Sequence, residues 1–320
     1  MAISMLQLSS YVAFAIFVVV IAAKWRYWSG MPLHLRWELY PVPHEKGKSK
    51  YGGSYYEELD WWTKPRETTL IGELKDLMEE MLFIKRAWEY KRELWLVTYP
   101  FHIGIYLILA WFALLFIGGL TEAYGGLQIG AAHPWSQLIY YLTLITGGLG
   151  IILGILGSIG TLALRVSDDG MRKWSTPIHY INLVFILVVF VLGAYAFITS
   201  DLSPAFATAQ GYMTSLVSFG SVEAPALSSA ILAHLILLEL LFVYIPFTKM
   251  SHFIGKYFTF HKVYWDDEPN LRGSKIEAKV KEMLEYRVDW AGPHYVPGMT
   301  WAEEATKVEP WGEKKEEVKE

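Results

Sequence analysis

The 320-residue chain contains no cysteine. This excludes a disulfide, a cysteine-ligated iron–sulfur cluster and a thioether-bound haem, so any metal is expected to rest on histidine. Charge is scarce as well: Asp, Glu, Lys and Arg make up 19% of residues, against 53% hydrophobic and 16% aromatic, at a mean hydropathy of +0.26. Soluble domains average about 25% charged residues, so the deficit points to a protein embedded in lipid. The net charge of −4 supplies no basic excess, and no nucleic-acid partner is expected. The third scarcity is positional. Of the 28 Lys and Arg, thirteen fall between Lys24 and Arg92, three between Arg165 and Lys173, and twelve from Lys249 onward; the N-terminus, 119–135 and 200–225 have none.

What the chain does have is five apolar runs long enough to cross about 30 Å of hydrocarbon: about residues 6–23, 96–118, 136–164, 178–199 and 226–248. The expected fold is an all-α integral membrane protein with five transmembrane helices. The first run lacks a small-residue cleavage site and leads straight into Lys24, Trp25 and Arg26, so it reads as a retained anchor, 1–27. The one-sided basic residues predict the N-terminus outside and the C-terminus cytoplasmic, in the cytoplasmic (inner) cell membrane. Paired, Gly/Pro-broken helices in two related halves, as in transporters, are not evident.

The fifth span carries His234 and His252, eighteen residues apart. In a continuous helix that is five whole turns, which places both imidazoles on one face, roughly 27 Å apart along the axis. The second span carries His102 in VTYPFHIGIYLILAWF, at the expected depth of His252, with Pro100 tolerated near the helix start. Two neutral imidazoles facing one another at equal depth suit six-coordinate haem iron, so spans two to five, 96–252, are expected to form a haem-binding bundle with His102 and His252 as an axial pair.

The opposite level holds His234, and His133 in AAHPW is the other histidine on that side. It is a candidate second ligand, with a loop or quinone contact as the alternative. Gln137, Tyr140 and Tyr141 supply hydrogen-bonding groups where a quinol head could lodge, although tyrosine also anchors helices at interfaces. Glu239 is a carboxylate in mid-span, read either as a proton relay or as a hydrogen-bonded packing group. Gly147, Gly148, Gly150, Gly154, Gly157 and Gly160 line the third span, for close helix packing or for clearance of a porphyrin face. Pro246 is expected to kink the fifth span.

Residues 28–95 are dense in Trp, Tyr, Pro and paired charges, a composition suited to docking. Within them Leu70, Leu74, Leu77, Met78, Met81, Ile84 and Trp88 recur at helical spacing, predicting an amphipathic helix at the interface. The tail, 253–320, is expected on the cytoplasmic side with one short helix near 274–286.

The segment HLILLELLFVYIPFTKMSHF resembles the last helix of the nitrate reductase gamma subunit family, in which two histidines eighteen apart each bind one of two haems b. The glycine-rich third span ending in Arg165, the RKWSTP before span four and the HIG of span two fit the same five-helix pattern. LRWELYPVPHEKGKSKYGGSYYEELDWW is similar to a narrower branch, the membrane cytochrome b subunits of the Dsr, Tmc and Hmc complexes, or Hdr-like menaquinol oxidoreductases, of sulfate- and sulfur-metabolising prokaryotes. The resemblance implies haem b, menaquinone as substrate with quinol oxidation at this subunit, and electron transfer to a cytoplasmic iron–sulfur subunit like the catalytic subunit of heterodisulfide reductase. Further membrane and outer-side redox subunits would complete such a complex. By position, His102 and His252 match one haem's ligands and His234 one ligand of the other, while the fourth position falls on Phe112. The remaining alternative from another class is a non-redox membrane scaffold for cytoplasmic subunits.

Overall fold

A computed structural model describes residues 4–31, 45–46, 58–65, 67, 69–202, 204–255, 257–258, 272–292 and 295–307. The stretch that carries the resemblance to the narrower branch falls mostly outside these residues, and His34, His44, His261 and His294 lie outside them. Of the described residues 76% are helical, and none lies in a strand beyond isolated bridges such as Arg287–Thr300 and Gly292–Tyr295, so the fold is all-α. Five helices are long and apolar enough to span a membrane: Met5–Ser29 (α1), then Arg92–Gly125, Pro134–Ser167, Pro177–Ser200 and Ser229–Phe247.

The chain divides into two compact units, one of Met1–Lys24 with Leu74–Ile254 and the other of Trp25–Glu73 with Gly255–Glu320. In the first, α2 (Leu70–Phe83, counted from Leu74) and α3 (Lys85–Tyr90) precede α4 (Arg92–Gly125). Ile84 separates α2 from α3 by adopting a left-handed conformation, φ 51°, which a branched residue accepts only where the surroundings hold it. Met78 and Met81 of α2 stay exposed, while its charged side closes on itself as Lys85 binds Asp76 (3.0 Å) and Glu79 (2.8 Å). Two hydrogen bonds hold its end to α4, from Trp95 Nε1 to the Phe83 carbonyl and from Tyr106 Oη to the Met81 carbonyl, each 2.7 Å.

The bundle is turned out relative to a soluble protein. Val19, Leu109, Ile152, Leu156 and Val191 are exposed, whereas the buried positions of α5 (Pro134–Ser167) include Ser136, Thr143, Gly147, Gly150, Gly154, Gly157, Ser158 and Thr161. Lipid is as apolar as leucine, so helices in a membrane gain by bringing small residues together and sending large apolar ones outward. The α4–α5 seam shows it: a Cβ on Gly104 would overlap the Gly154 backbone, and one on Gly157 would overlap the Phe101 backbone. Gly148, by contrast, has nothing within 4 Å, so that glycine serves no packing contact here.

After α6 (Asp169–Lys173), α7 (Pro177–Ser200) starts from a capping box between Thr176 and His179. The 200–225 stretch, which carries no long apolar run, is not a plain loop. It folds back as α8 (Ala207–Val217), whose free N–H groups at Thr208 and Ala209 donate to the Asp201 carboxylate at 2.7 and 3.2 Å. The first turns of α1 are tied to α8 and to α9 (Ser229–Tyr244) by polar side chains. Gln7 donates to the Ser215 hydroxyl (3.2 Å), Tyr11 to the Leu216 carbonyl (2.7 Å), and Ser9 and Ser10 both donate to Glu239.

In the second unit Trp25 stacks on Tyr257 with ring centroids 4.8 Å apart. The tail holds α10 (Lys275–Leu284), capped by Ser274, and a second short helix, α11 (Trp301–Thr306), that the charge pattern does not announce.

Candidate functional site

Expecting His234 and His252 on one continuous helix requires correction. The helix ends at Tyr244, runs through 3-10 turns at Ile245–Phe247 and Lys249–Ser251, and turns sharply at Thr248, whose φ of −118° and ψ of 178° are extended. Pro246 is the cause: it has no N–H for the helix and its ring excludes the preceding turn. The two histidines therefore do not share a face by helical phase.

The break nonetheless brings His252 to His102. Their ring centroids are 6.2 Å apart with planes at 84°. His102 Nδ1 lies 2.8 Å from the Thr98 carbonyl and His252 Nδ1 3.2 Å from the Lys249 carbonyl. A carbonyl can only accept, so each Nδ1 carries the proton and each Nε2 is left with a free lone pair. A metal–imidazole bond is about 2 Å, and adding the ring's own radius puts two imidazoles on opposite sides of one metal about 6 Å apart, centre to centre. The separation matches that of an axial pair on haem iron, with His102 half-buried and His252 exposed, and the backbone carbonyls are the kind of outer hydrogen bond that orients metal-binding histidines. Among the described residues no cluster of three or more His, Asp or Glu is placed to hold a metal ion, whereas a porphyrin needs only such axial donors from the protein.

His234 sits elsewhere in the bundle, on the wall of an apolar cavity of about 220 Å³ between α4, α5, α7 and α9. Its imidazole lies against Gly193: a Cβ there would come within 2.8 Å of the ring. Glycine at this point of α7 is what makes room for the ring. His234 Nδ1 is buried without a hydrogen-bond partner, and so is Nε1 of Trp111, a residue that lines the same cavity. Phe112 is also in the wall, at the position where the resemblance implies a ligand. The imidazole faces the Val189 carbonyl as its one backbone contact, and an unpaired Nδ1 in an apolar chamber suits a cofactor at this level.

Two other expectations separate from this chamber. His133 is exposed and caps α5, its Nδ1 accepting from the Trp135 N–H at 3.2 Å; it does not line the His234 cavity. With Pro134 as the first helical residue, the strand-like backbone of His133 favours that cap over a fold across the bundle. Gln137 and Tyr141 are exposed and Tyr140 half-buried, and none of the three lines the cavity. The inward face of α5 is set by Ser136, Ile139, Thr143 and Gly147, and residues one position on lie about 100° away. His179 is occupied in the α7 cap and lies 3.4 Å from Lys249 Nζ.

Sequence reasoning missed Trp111 and Phe206. Phe206 adopts a left-handed conformation before α8, stacks on Phe197 (4.3 Å) and meets Trp111 edge to face (5.2 Å). Both read as ordinary apolar residues, and only the return of α8 into the bundle gives them a common wall. Glu239 is engaged by Ser9 and Ser10, and Ser10 in turn by Tyr212 at 3.0 Å, a hydrogen-bonded network at the join of α1, α8 and α9.

Five apolar helices, with His102 and His252 close together and His234 on a cavity wall, suit a membrane cytochrome b. The sequence profile of the nitrate reductase gamma subunit matches residues 88–264, more than half of the chain, and the protein belongs to that family. No curated protein matches the sequence.

Proposed function

We propose that this chain is the membrane cytochrome b subunit of a respiratory complex that passes electrons between menaquinol and cytoplasmic iron–sulfur subunits. The observation that carries the reading is the His102–His252 approach at 6.2 Å with both Nδ1 atoms engaged by carbonyls. In this reading His102 and His252 hold one haem b and His234 supplies a ligand to a second in the apolar chamber. Haem supplies reversible one-electron transfer; the protein supplies ligation, a low dielectric and exclusion of water. The Thr98 and Lys249 carbonyls hold the Nδ1 side of each imidazole and so aim the two rings, and Gly193 keeps His234 against α7.

The branch proposed is that of the Dsr, Tmc and Hmc complexes, with a partner resembling the catalytic subunit of heterodisulfide reductase and with the Lys/Arg-rich end on the cytoplasmic side of the inner membrane. The support is the resemblance carried by residues 35–62 for the branch and the one-sided basic residues for the orientation. The reading is tested on the purified full chain by a pyridine haemochrome assay per mole of protein, followed by reduction with a menaquinol analogue. Reduced b-type bands that appear on quinol addition support it. A preparation with no haem absorbance returns the protein to the scaffold class.

A further inference from the structure

Of the buried side-chain polar atoms without a partner among the described residues, Trp111 Nε1 and His234 Nδ1 are the two whose residues line the apolar cavity; Thr98, Thr143, Arg165 and Gln210 do not line it. An indole N–H is a donor only, and buried donors in folded proteins are almost always satisfied. The chain offers Trp111 little else. The Asp201 carboxylate, also in the wall, is taken up by the Thr208 and Ala209 amides, and the Gly147 side of the ring is closed: a Cβ on Gly147 would stand 2.6 Å from Trp111 Cδ1. A room with walls of Phe, Ile, Leu and Val also suits water poorly, since a buried water needs two to four polar partners.

We propose that Trp111 Nε1–H donates a hydrogen bond to an oxygen on the edge of a planar, largely apolar ligand seated in this cavity beside His234. Trp111 is thus a positioning residue for the chamber, resting on the reading of His234 as facing a cofactor. Two sources share the chemistry, a porphyrin carboxylate and a quinone carbonyl, because each presents an acceptor oxygen at the rim of a conjugated ring.

The experiment uses the full chain purified from membranes, as Trp111→Phe, which keeps an aromatic ring, and Trp111→Gln, which returns an N–H donor. The spectrum of the haem at His102/His252 serves as the check on folding. The indole N–H bending band of Trp111, taken from the ultraviolet resonance Raman difference between wild type and Trp111→Phe, is expected at the hydrogen-bonded position. With a carboxylate partner, Trp111→Phe shifts the midpoint potential or halves the haem content while the His102/His252 haem is unchanged, and Trp111→Gln restores part of the loss. With a quinone partner, both haems are unchanged and tightly bound quinone falls at least tenfold. A band at the free-indole position, or a Trp111→Phe protein that keeps its haem content, potentials and quinone, overturns the proposal. His234→Ala is read separately: full haem retention there refutes the ligand role of His234, while the Raman band still decides Trp111.

Discussion

His102 and His252 stand 6.2 Å apart, ring centre to ring centre, although one lies inside α4 and the other beyond a broken helix. Each holds its Nδ1 on a carbonyl of its own segment, so the approach is set by backbone and does not depend on either ring finding the other. Replacing either residue with Ala is expected to remove one haem and its low-spin signal, with the remainder of the haem retained. Unchanged haem content in a His252→Ala protein would falsify the pairing.

The α4–α5 seam predicts a contrast between two glycines. Gly104→Val must push the Gly154 backbone away, and overpacking of this kind costs about 1–3 kcal/mol or more. Gly148→Ala enters open space inside a helix and is expected to be neutral or to stabilise by about 0.5–1 kcal/mol. Thermal melts in detergent check both, and equal melting temperatures for the two variants would sink the packing account.

Glu79 and Lys85 make the attachment of α2 dependent on pH. The hydrogen bond from the Lys85 ammonium, aided by its charge, holds the Glu79 carboxyl below its ordinary range. A lowered folded-state pKa contributes stability that is present above the ordinary glutamate range, about 4.3, and is lost as pH falls through the lowered value. Lys85→Met is therefore expected to destabilise at pH 7 and to matter progressively less below about pH 4. Melting temperatures of wild type and variant across pH 3–7 test it; a constant difference between them contradicts the assignment.

A reporter fused after Glu320 is expected on the cytoplasmic side, because every Lys and Arg falls on the same side of the proposed topology. Activity of a reporter that matures only outside the cytoplasm would reverse the orientation.

Five spans were legible in the order of residues, because each needs only its own length of apolar side chains to satisfy the membrane. The seam glycines were legible for a related reason, as small residues at helical spacing announce a close approach. The break at Pro246 was legible as a kink, yet its consequence was not. Where the chain goes after a lost helical hydrogen bond depends on what it then packs against, and a five-turn phase argument fails once Thr248 is extended. The same limit applies to His133, Gln137, Tyr140 and Tyr141. Residue type suggested what each could do, while helical phase and capping decided which way each points. Sequence alone determined the solvent, the number of spans and the histidines available, since these follow from composition and local periodicity. Only the tertiary structure decided that His252 meets His102, that α8 folds into the bundle, and that Trp111 shares a wall with His234, because those contacts join residues far apart in the chain through crossing helices whose angles no single segment encodes.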